Sequence, residues 1–517
     1  MAAVRRIFLS LRSVDIACVA SSWRHISSSS LRIRETAPYR IRRCAGDELR
    51  SWIFNSVCSR RSTTAVLQNW VDDGRRISVS ELRRISRQLM KRRRFESALE
   101  ILMWMETQDN SWMGAADYAI RLELTIKIHG SEGAEEYFDK LPGSVSKKAS
   151  CLRLLRYYAK ERDTGKAEAL MAKMNGMGLA VTTQPFNEMM KLYMATSQYT
   201  KVPSVILEMK HNCIPLNVLS YNLWMSAYGD LSDIVSVETV YKEMMNDPHV
   251  GVGWSSLCTL ANIYQKAGLI HKAILVLRVA EKKLSDCNRL AYFFIITLYT
   301  SLNNKEGVLR LWEASKAVEG RMTCANYMCM LSSLVKLGEI EDAQNIFEEW
   351  ESQCRTYDVR VPNILLGAYM RNGLTEKAEL LYLRTLEKGG VPNYKTWEIL
   401  MEGWVRSRNI EKAIDAMRRA LAMSKDCDWR PSPSIVVTIA NYLQKSENFE
   451  EAVQYLRVLR KFNLASLPVY KSLLRMRTCS HKSAQKLLEL MQKDGINMDD
   501  ETRGLVQTSR SNTREGY

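Results

Sequence analysis

At 517 residues, with 46% hydrophobic and 25% charged residues, the chain has the composition of a protein with an ordinary apolar core, which excludes a disordered or collagen-like polymer. Its longest apolar run, around Ala291 to Tyr299, is far shorter than the roughly 20 residues a spanning helix needs, so no membrane insertion is expected. The formal net charge is +17, and residues 1–61 carry about half of it as twelve Arg against four acidic residues; the modest remainder is compatible with a polyanionic partner.

The first twelve residues place Val4, Ile7, Phe8 and Leu11 on one helical face, with Arg5, Arg6 and Arg12 off it. A Ser run, Ser27 to Ser30, and a further Arg-rich, acid-poor stretch follow, which is the composition of an organellar transit peptide, with removal expected near Ile26. Residues 1–61 are therefore set apart as transit peptide and disordered leader. Mitochondrion is preferred to chloroplast; a disordered basic tail, or a nuclear signal built on Lys91 to Arg94, is the competing reading. Residues 62–78 are assigned a capping helix over Thr63 to Gly74, in which Val66, Leu67 and Trp70 cover the end of the array that follows.

From 79 to 500 the chain repeats. NYMCMLSSLVKLGEIEDAQNIFEEW is followed by PNILLGAYMRNGLTEKAELLYLRTL, so that Gly338 recurs as Gly373, Ala343 as Ala378 and Phe347 as Tyr382, a period of about 35 residues. Each copy is an apolar-periodic segment ending at Gly, then a second amphipathic segment: a helix, a tight turn, and a helix packed back on the first. A small residue in the second helix extends the pattern through Ala98, Ala134, Ala167, Val202, Val237, Ala273, Val308, Ala343, Ala378, Ala413 and Ala452, as close helix crossing requires. The residue one turn later is apolar throughout, from Leu102 to Leu456. Units then begin near Val79, Ala115, Lys148, Thr183, Val218, Trp254, Arg289, Cys324, Val359, Tyr394 and Pro433, with a degenerate unit near Leu467, a surface insertion at Lys425 to Pro431 and a polar tail over 501–517. The expected fold is all-α, an α-solenoid of about twelve helix-turn-helix units.

Reactive chemistry is not signalled. Twelve Cys occur without a Cys-x-x-Cys, which suits free thiols in a reducing compartment, and Cys324 and Cys329 suit a helix core. His25, His129, His211, His249, His271 and His481 do not pair with Cys or acids at metal-ligand spacing, and no phosphate loop or nucleophile motif is present. No catalytic residue, metal or cofactor is expected. Glu348, Glu349 and Glu351 are placed on a solvent face, and Trp312 and Tyr382 in the packing column. Arg83, Arg84, Arg87 and Lys91 to Arg94 form the densest basic patch, a phosphate contact or a solvated cap.

The junctions LEMKHNCIPLNVLSYNLWM, with Pro215-Leu216-Asn217 then Ser220-Tyr221-Asn222, and Gly390-Val391-Pro392-Asn393 then Thr396-Trp397 resemble those of pentatricopeptide repeats. Together with the opening marked by Leu67, Trp70, Gly74, Leu82, Ala98, Leu99, Trp104 and Met105, they make residues 63 to 500 similar to plant organellar pentatricopeptide repeat proteins of the P class. The His-x-Glu and Cys-x-x-Cys deaminase signature that ends some family members is missing. The resemblance implies a right-handed superhelix whose first helices line a groove for single-stranded organellar RNA, ideally one base per unit. It implies a base-reading pair in each unit, one residue from the first helix and the unit's last residue. Asn187 with Asn217, and Asn363 with Asn393, fit a pyrimidine-reading pair; a helix-cap or turn role is the competing reading of these Asn. Asn222 has the right first member but closes on Gly253, while Met328 with Asp358 and Cys258 with Asn288 keep only the closing member. The first-member slot elsewhere holds Arg83, Ala119, Leu152, Phe293, Glu398, Val437 and Lys471. So sparse a set implies modest base discrimination. The expected function is a non-catalytic RNA-binding adaptor in mitochondrial RNA metabolism; the alternative is a protein-interaction scaffold associated with ribosomal or RNA-processing proteins.

Overall fold

The computed structural model describes residues 45–58, 62–108, 112–284, 289–423 and 429–511. These residues form 26 helices and no strand, in two compact units divided between Lys283 and Leu284. The N-terminal unit opens with α1 (Ala45–Cys58) and α2 (Thr63–Asp72). Then come α3 (Val79–Lys91) with α4 (Phe95–Gln108), α5 (Ala115–Asp139), α6 (Gly143–Glu161) with α7 (Thr164–Gly176), and α8 (Thr183–Ala195) with α9 (Lys201–His211). It closes with α10 (Val218–Asp230) and α11 (Ile234–Asn246), then α12 (Trp254–Lys266) and α13 (Ile270–Glu281).

The C-terminal unit pairs α14 (Arg289–Ser301) with α15 (Lys305–Lys316), α16 (Cys324–Leu337) with α17 (Ile340–Gln353), and α18 (Arg360–Arg371) with α19 (Thr375–Glu387). It continues as α20 (Tyr394–Arg406) with α21 (Ile410–Ala422), α22 (Pro433–Ser446) with α23 (Phe449–Lys461), α24 (Leu467–Leu474) with α25 (His481–Lys493), and α26 (Asp500–Ser511). Within each unit, consecutive first helices such as α8, α10 and α12, or α16, α18 and α20, pack side by side, whereas second helices touch one another sparsely. The first helices are therefore the close-packed row.

The small-residue column is the seam of this packing. All eleven of its members, from Ala98 to Ala452, are 0% exposed, and a larger side chain there would hold the crossing helices apart. Five residues before ten of the eleven, the turn between paired helices carries a left-handed residue, Gly338 at φ 85° and Gly373 at φ 73° among them. Arg162, Ser197, Ser232, Arg408 and Glu447 adopt the same conformation without being Gly. In α5 the turn is compressed to Gly130, at φ 74° and ψ −161°, so the two helices of that unit run on as one kinked element.

A second device fastens successive repeats. The residue after the small one accepts two hydrogen bonds from the following repeat: Glu168 from Tyr193 Oη at 2.9 Å and Lys201 Nζ at 2.8 Å, Glu238 from Tyr264 Oη at 3.0 Å and Lys272 Nζ at 2.9 Å. Glu135 takes Tyr158 and Lys166 in the same way. In each case the lysine also sits over the tyrosine ring, which adds a cation–π contact.

Several sequence boundaries move. Part of the stretch assigned to the leader, 1–61, is folded: α1 packs on α2 through Leu49 and Ile53, both 0% exposed, and Trp52 meets Trp70 edge-on at 5.6 Å. Leu49 and Ile53 form a one-turn apolar stripe that the Arg-rich composition around it conceals. The amphipathic start, the Ser run and the cleavage position lie outside the described residues, as does most of the insertion, 424–428. The tail assigned to 501–517 begins as α26, anchored by Thr502 at 0% exposure and by Asp499 and Glu501 on Lys471. The unit expected to start at Lys148 starts at Gly143, directly after Pro142, whose fixed φ suits the residue before the first turn. None of the described helices is long and apolar enough to cross a membrane.

Candidate nucleic-acid interface

Asn217 lies at the N-cap of α10 because Pro215-Leu216 brings the chain in extended and an Asn side chain satisfies a free helix amide. Its Oδ1 accepts the Ser220 N–H at 3.0 Å, and Ser220 Oγ accepts the Asn217 N–H at 3.3 Å, a reciprocal capping box. Asn187, on the preceding first helix α8 and 3% exposed, donates from Nδ2 to Asn217 Oδ1 at 3.2 Å. Ser220 Oγ also stands 2.8 Å from Asn187 Oδ1.

The same construction recurs in the other unit. Asn393 caps α20, accepting the Thr396 N–H at 3.0 Å, and Asn363 of α18 donates from Nδ2 to Asn393 Oδ1 at 3.4 Å. Both Asn pairs singled out in the sequence are thus joined by a direct hydrogen bond. The cap role weighed as the alternative is filled by Asn217 and Asn393 with the same oxygen that receives the partner amide, leaving each Nδ2 group free to donate outward.

Asn222 stands differently. It is 8% exposed, its Oδ1 is sealed without a hydrogen bond, and Gly253, the N-cap of α12, supplies no side chain to meet it. Asn288 lies outside the described residues, and Cys258 is fully buried. Asp358 is gripped by Arg360, with Nη2 at 2.6 Å, and that hydrogen bond holds its carboxyl below the usual range. Other reader slots are occupied by ion pairs: Arg83 binds Asp117 at 2.7 Å and the Trp112 carbonyl, Lys471 binds Asp499 and Glu501, and Glu398 binds Lys395. Phe293 is buried edge-on against Trp312.

Arg83 is thereby withdrawn from the basic patch, and Arg92 lies over Phe54 at 4.6 Å, while Arg87, Lys91, Arg93 and Arg94 remain exposed. Glu349 and Glu351, placed on a solvent face by periodicity, are instead inter-repeat partners. Glu349 meets Lys316 and Tyr327, and Glu351, its side chain 5% exposed, lies under Arg384. Trp312 is buried as its column implies, whereas Tyr382 is half-buried against Trp397. The sequence pattern marks Ser220 as a junction residue but discloses neither its bond to Asn187 nor the Glu-Tyr-Lys fastenings. Lys166-Ala167-Glu168 and its echo Lys377-Ala378-Glu379 were the signal available for the latter.

The family model described as pentatricopeptide repeat domain matches residues 169–231, and the single PPR repeat model matches 219–248, 326–354 and 361–390. The chain is 56% identical over 441 residues to pentatricopeptide repeat-containing protein At5g27460 of Arabidopsis thaliana, covering 84% of this chain and 90% of that protein. It is 34% identical over 461 residues to pentatricopeptide repeat-containing protein At4g02820, mitochondrial, of the same plant, covering 89% and 86%. Among solved structures, the pentatricopeptide repeat protein PPR10 in complex with an 18-nt PSAJ RNA element shares the fold, with TM-score 0.50 and 16% identity over 81% of this chain and 60% of that one. Repeat period, buried seam, capped junctions and sequence relatives agree, and the chain belongs to the pentatricopeptide repeat family.

Proposed function

We propose that the protein is a non-catalytic adaptor that binds single-stranded segments of mitochondrial transcripts and acts in their processing, stability, splicing or translation. The observation that carries this is the joined pairs Asn187–Asn217 and Asn363–Asn393, each set in the first-helix row with an amide left over for a base edge. Asn222 occupies the same register without a second amide, and its Oδ1 is sealed, so only its amide N–H groups are left for a base. Family membership and the RNA-bound relative support RNA as the ligand, and the Arg-rich leader and the mitochondrial relatives support the compartment. With most reader slots buried or tied into ion pairs, affinity rests on phosphate contacts and stacking. The few base contacts, at about 1–3 kcal/mol each, set the register.

The test is equilibrium binding of the full chain to single-stranded RNA pools across a salt series. The expected result is a linear fall of log affinity with log salt at about −0.7 per phosphate contact, with weaker sequence preference in Asn187→Ala and Asn363→Ala. Absence of salt-dependent binding would overturn the reading. A scaffold docked on the organelle ribosome is the second reading, favoured by the ion pairs Arg83–Asp117 and Lys471–Asp499 in slots where a base reader would stand. Ribosomal proteins co-purifying without RNA contact would select it.

A further inference from the structure

Second helices touch one another sparsely, so each keeps an outward face, and the buried seam residue fixes which positions lie on it. In nine of the eleven repeats the residue two after the seam residue is polar, charged or Ala, Glu136, Ser204, Arg310 and Asp415 among them. In the other two it is leucine: Leu275 of α13, 49% exposed, and Leu380 of α19, 66% exposed. One turn further on, each is joined by a second exposed apolar side chain, Val279 in α13 and Leu383 in α19. Two exposed apolar stripes thus break a column that is otherwise solvent-compatible, and such breaks mark contact surfaces.

The stripes carry opposite charge. On α13 the apolar pair is bracketed by His271 one turn before and Lys282 after, with Arg278 between, all exposed. Neither Arg278 nor Lys282 forms an ion pair with a described residue. On α19 the leucines are bracketed by Glu376 and Glu387, exposed and likewise without an ion pair to a described residue, while Arg384, next to Leu383, is tied to Glu351. The α19 stripe ends in acids on a chain of net charge +17, so it repels a polyanion and belongs to no nucleic-acid surface.

We propose that the two stripes form a self-association interface, in which α13 of one copy of the chain packs antiparallel on α19 of a second copy. The seven residues from Leu275 to Lys282 and from Glu376 to Leu383 both span about 10.5 Å at roughly 1.5 Å per residue. In that register Leu275 meets Leu383, Val279 meets Leu380, Lys282 meets Glu376 and His271 meets Glu387: apolar pairs at the centre and opposite charges at the rim. Packing α19 on its own copy would set acid against acid, and packing α13 on its own copy would set cation against cation, so the contact is heterologous. One helix stripe offers less than the roughly 800 Å² per partner of a permanent interface, which makes the association concentration-dependent.

Sedimentation of the RNase-treated full chain over a micromolar concentration series tests this, alongside Leu275→Glu/Val279→Glu and Leu380→Glu/Leu383→Glu. The wild type should gain mass with concentration, and each variant alone should remain a single chain. An equimolar mixture of the two variants should form a one-to-one complex, because each supplies the stripe that the other lacks, a recovery that misfolding would not produce. Lys282→Glu should weaken wild-type association by roughly tenfold, and Glu376→Lys added to the same chain should restore it. A wild type that stays single after RNase treatment overturns the proposal and leaves α19 to a basic partner protein. Association that either leucine variant retains alone, or a mixture of variants that stays single, overturns it equally.

Discussion

Asn187 donates from Nδ2 to Oδ1 of Asn217 across 3.2 Å, so a side chain near the start of one first helix is tied to the residue that caps the next. On the proposed function, the residue offered to a base is held by the fold in advance, which limits the ordering cost of binding. The same contact serves stability. Asn217→Ala removes the cap acceptor and is expected to cost about 1 kcal/mol, while Asn217→Asp keeps the acceptor and costs little. Denaturant midpoints of the two variants check this, and equal losses would separate the cap from stability.

The fastenings between repeats predict a pH dependence. The Lys201 hydrogen bond foremost, then Tyr193, holds the Glu168 carboxyl below its ordinary 4.5; Lys272 and then Tyr264 do the same for Glu238. A carboxylate depressed in the folded state contributes stability that is present above its unfolded value and lost as pH falls through the folded value. Thermal midpoints should therefore be flat near neutrality and decline below about pH 4.5. The Glu168→Gln/Glu238→Gln variant should start lower and decline less steeply. A parallel decline would assign the acid sensitivity to other groups.

Close approach of α18 and α20 depends on Gly403. A Cβ built there falls on the Met370 side chain, 2.6 Å from its Cγ. Gly403→Ala is expected to destabilise by about 1–3 kcal/mol, towards the low end because methionine yields. Adding Met370→Ala should recover part of the loss relative to the sum of the single variants, as measured by a double-mutant cycle.

The turn between paired helices offers a test in both directions. A Cβ at Gly338 meets nothing within 4 Å, so Gly338→Ala should cost only the left-handed backbone penalty, about 1–2 kcal/mol. Arg408, at φ 62°, already bears that penalty, and Arg408→Gly should raise the unfolding midpoint. A fall on Arg408→Gly would show that its side chain contributes more than its backbone costs.

Much of this architecture is written in a single column of small residues. Ala343 and Ala378 reveal the period because a crossing point tolerates few side chains, and the helix starts at Thr183, Val218, Trp254 and Cys324 follow from it. The Asn pairs were equally legible, since Pro215-Leu216-Asn217 and Val391-Pro392-Asn393 mark the same junction. What was hidden are the relationships that only packing decides. Arg83 reads as a free cation until Asp117 is brought to it, and Glu351 reads as a surface acid until Arg384 covers it. The left-handed turns at Arg162 and Glu447 carry no Gly to announce them. The bond from Ser220 to Asn187 joins residues of successive repeats, and no local pattern announces it.

The measurement that bears most directly on RNA binding is crosslinking of the tagged full-length protein to RNA in isolated mitochondria, with sequencing of the protected fragments from wild type and Asn187→Ala/Asn363→Ala. Sharp single-stranded footprints on one or a few transcripts, with pyrimidines at two positions that blur in the variant, are the predicted result. Footprints confined to ribosomal RNA and unchanged in the variant, or none above background while ribosomal proteins co-purify, would contradict it.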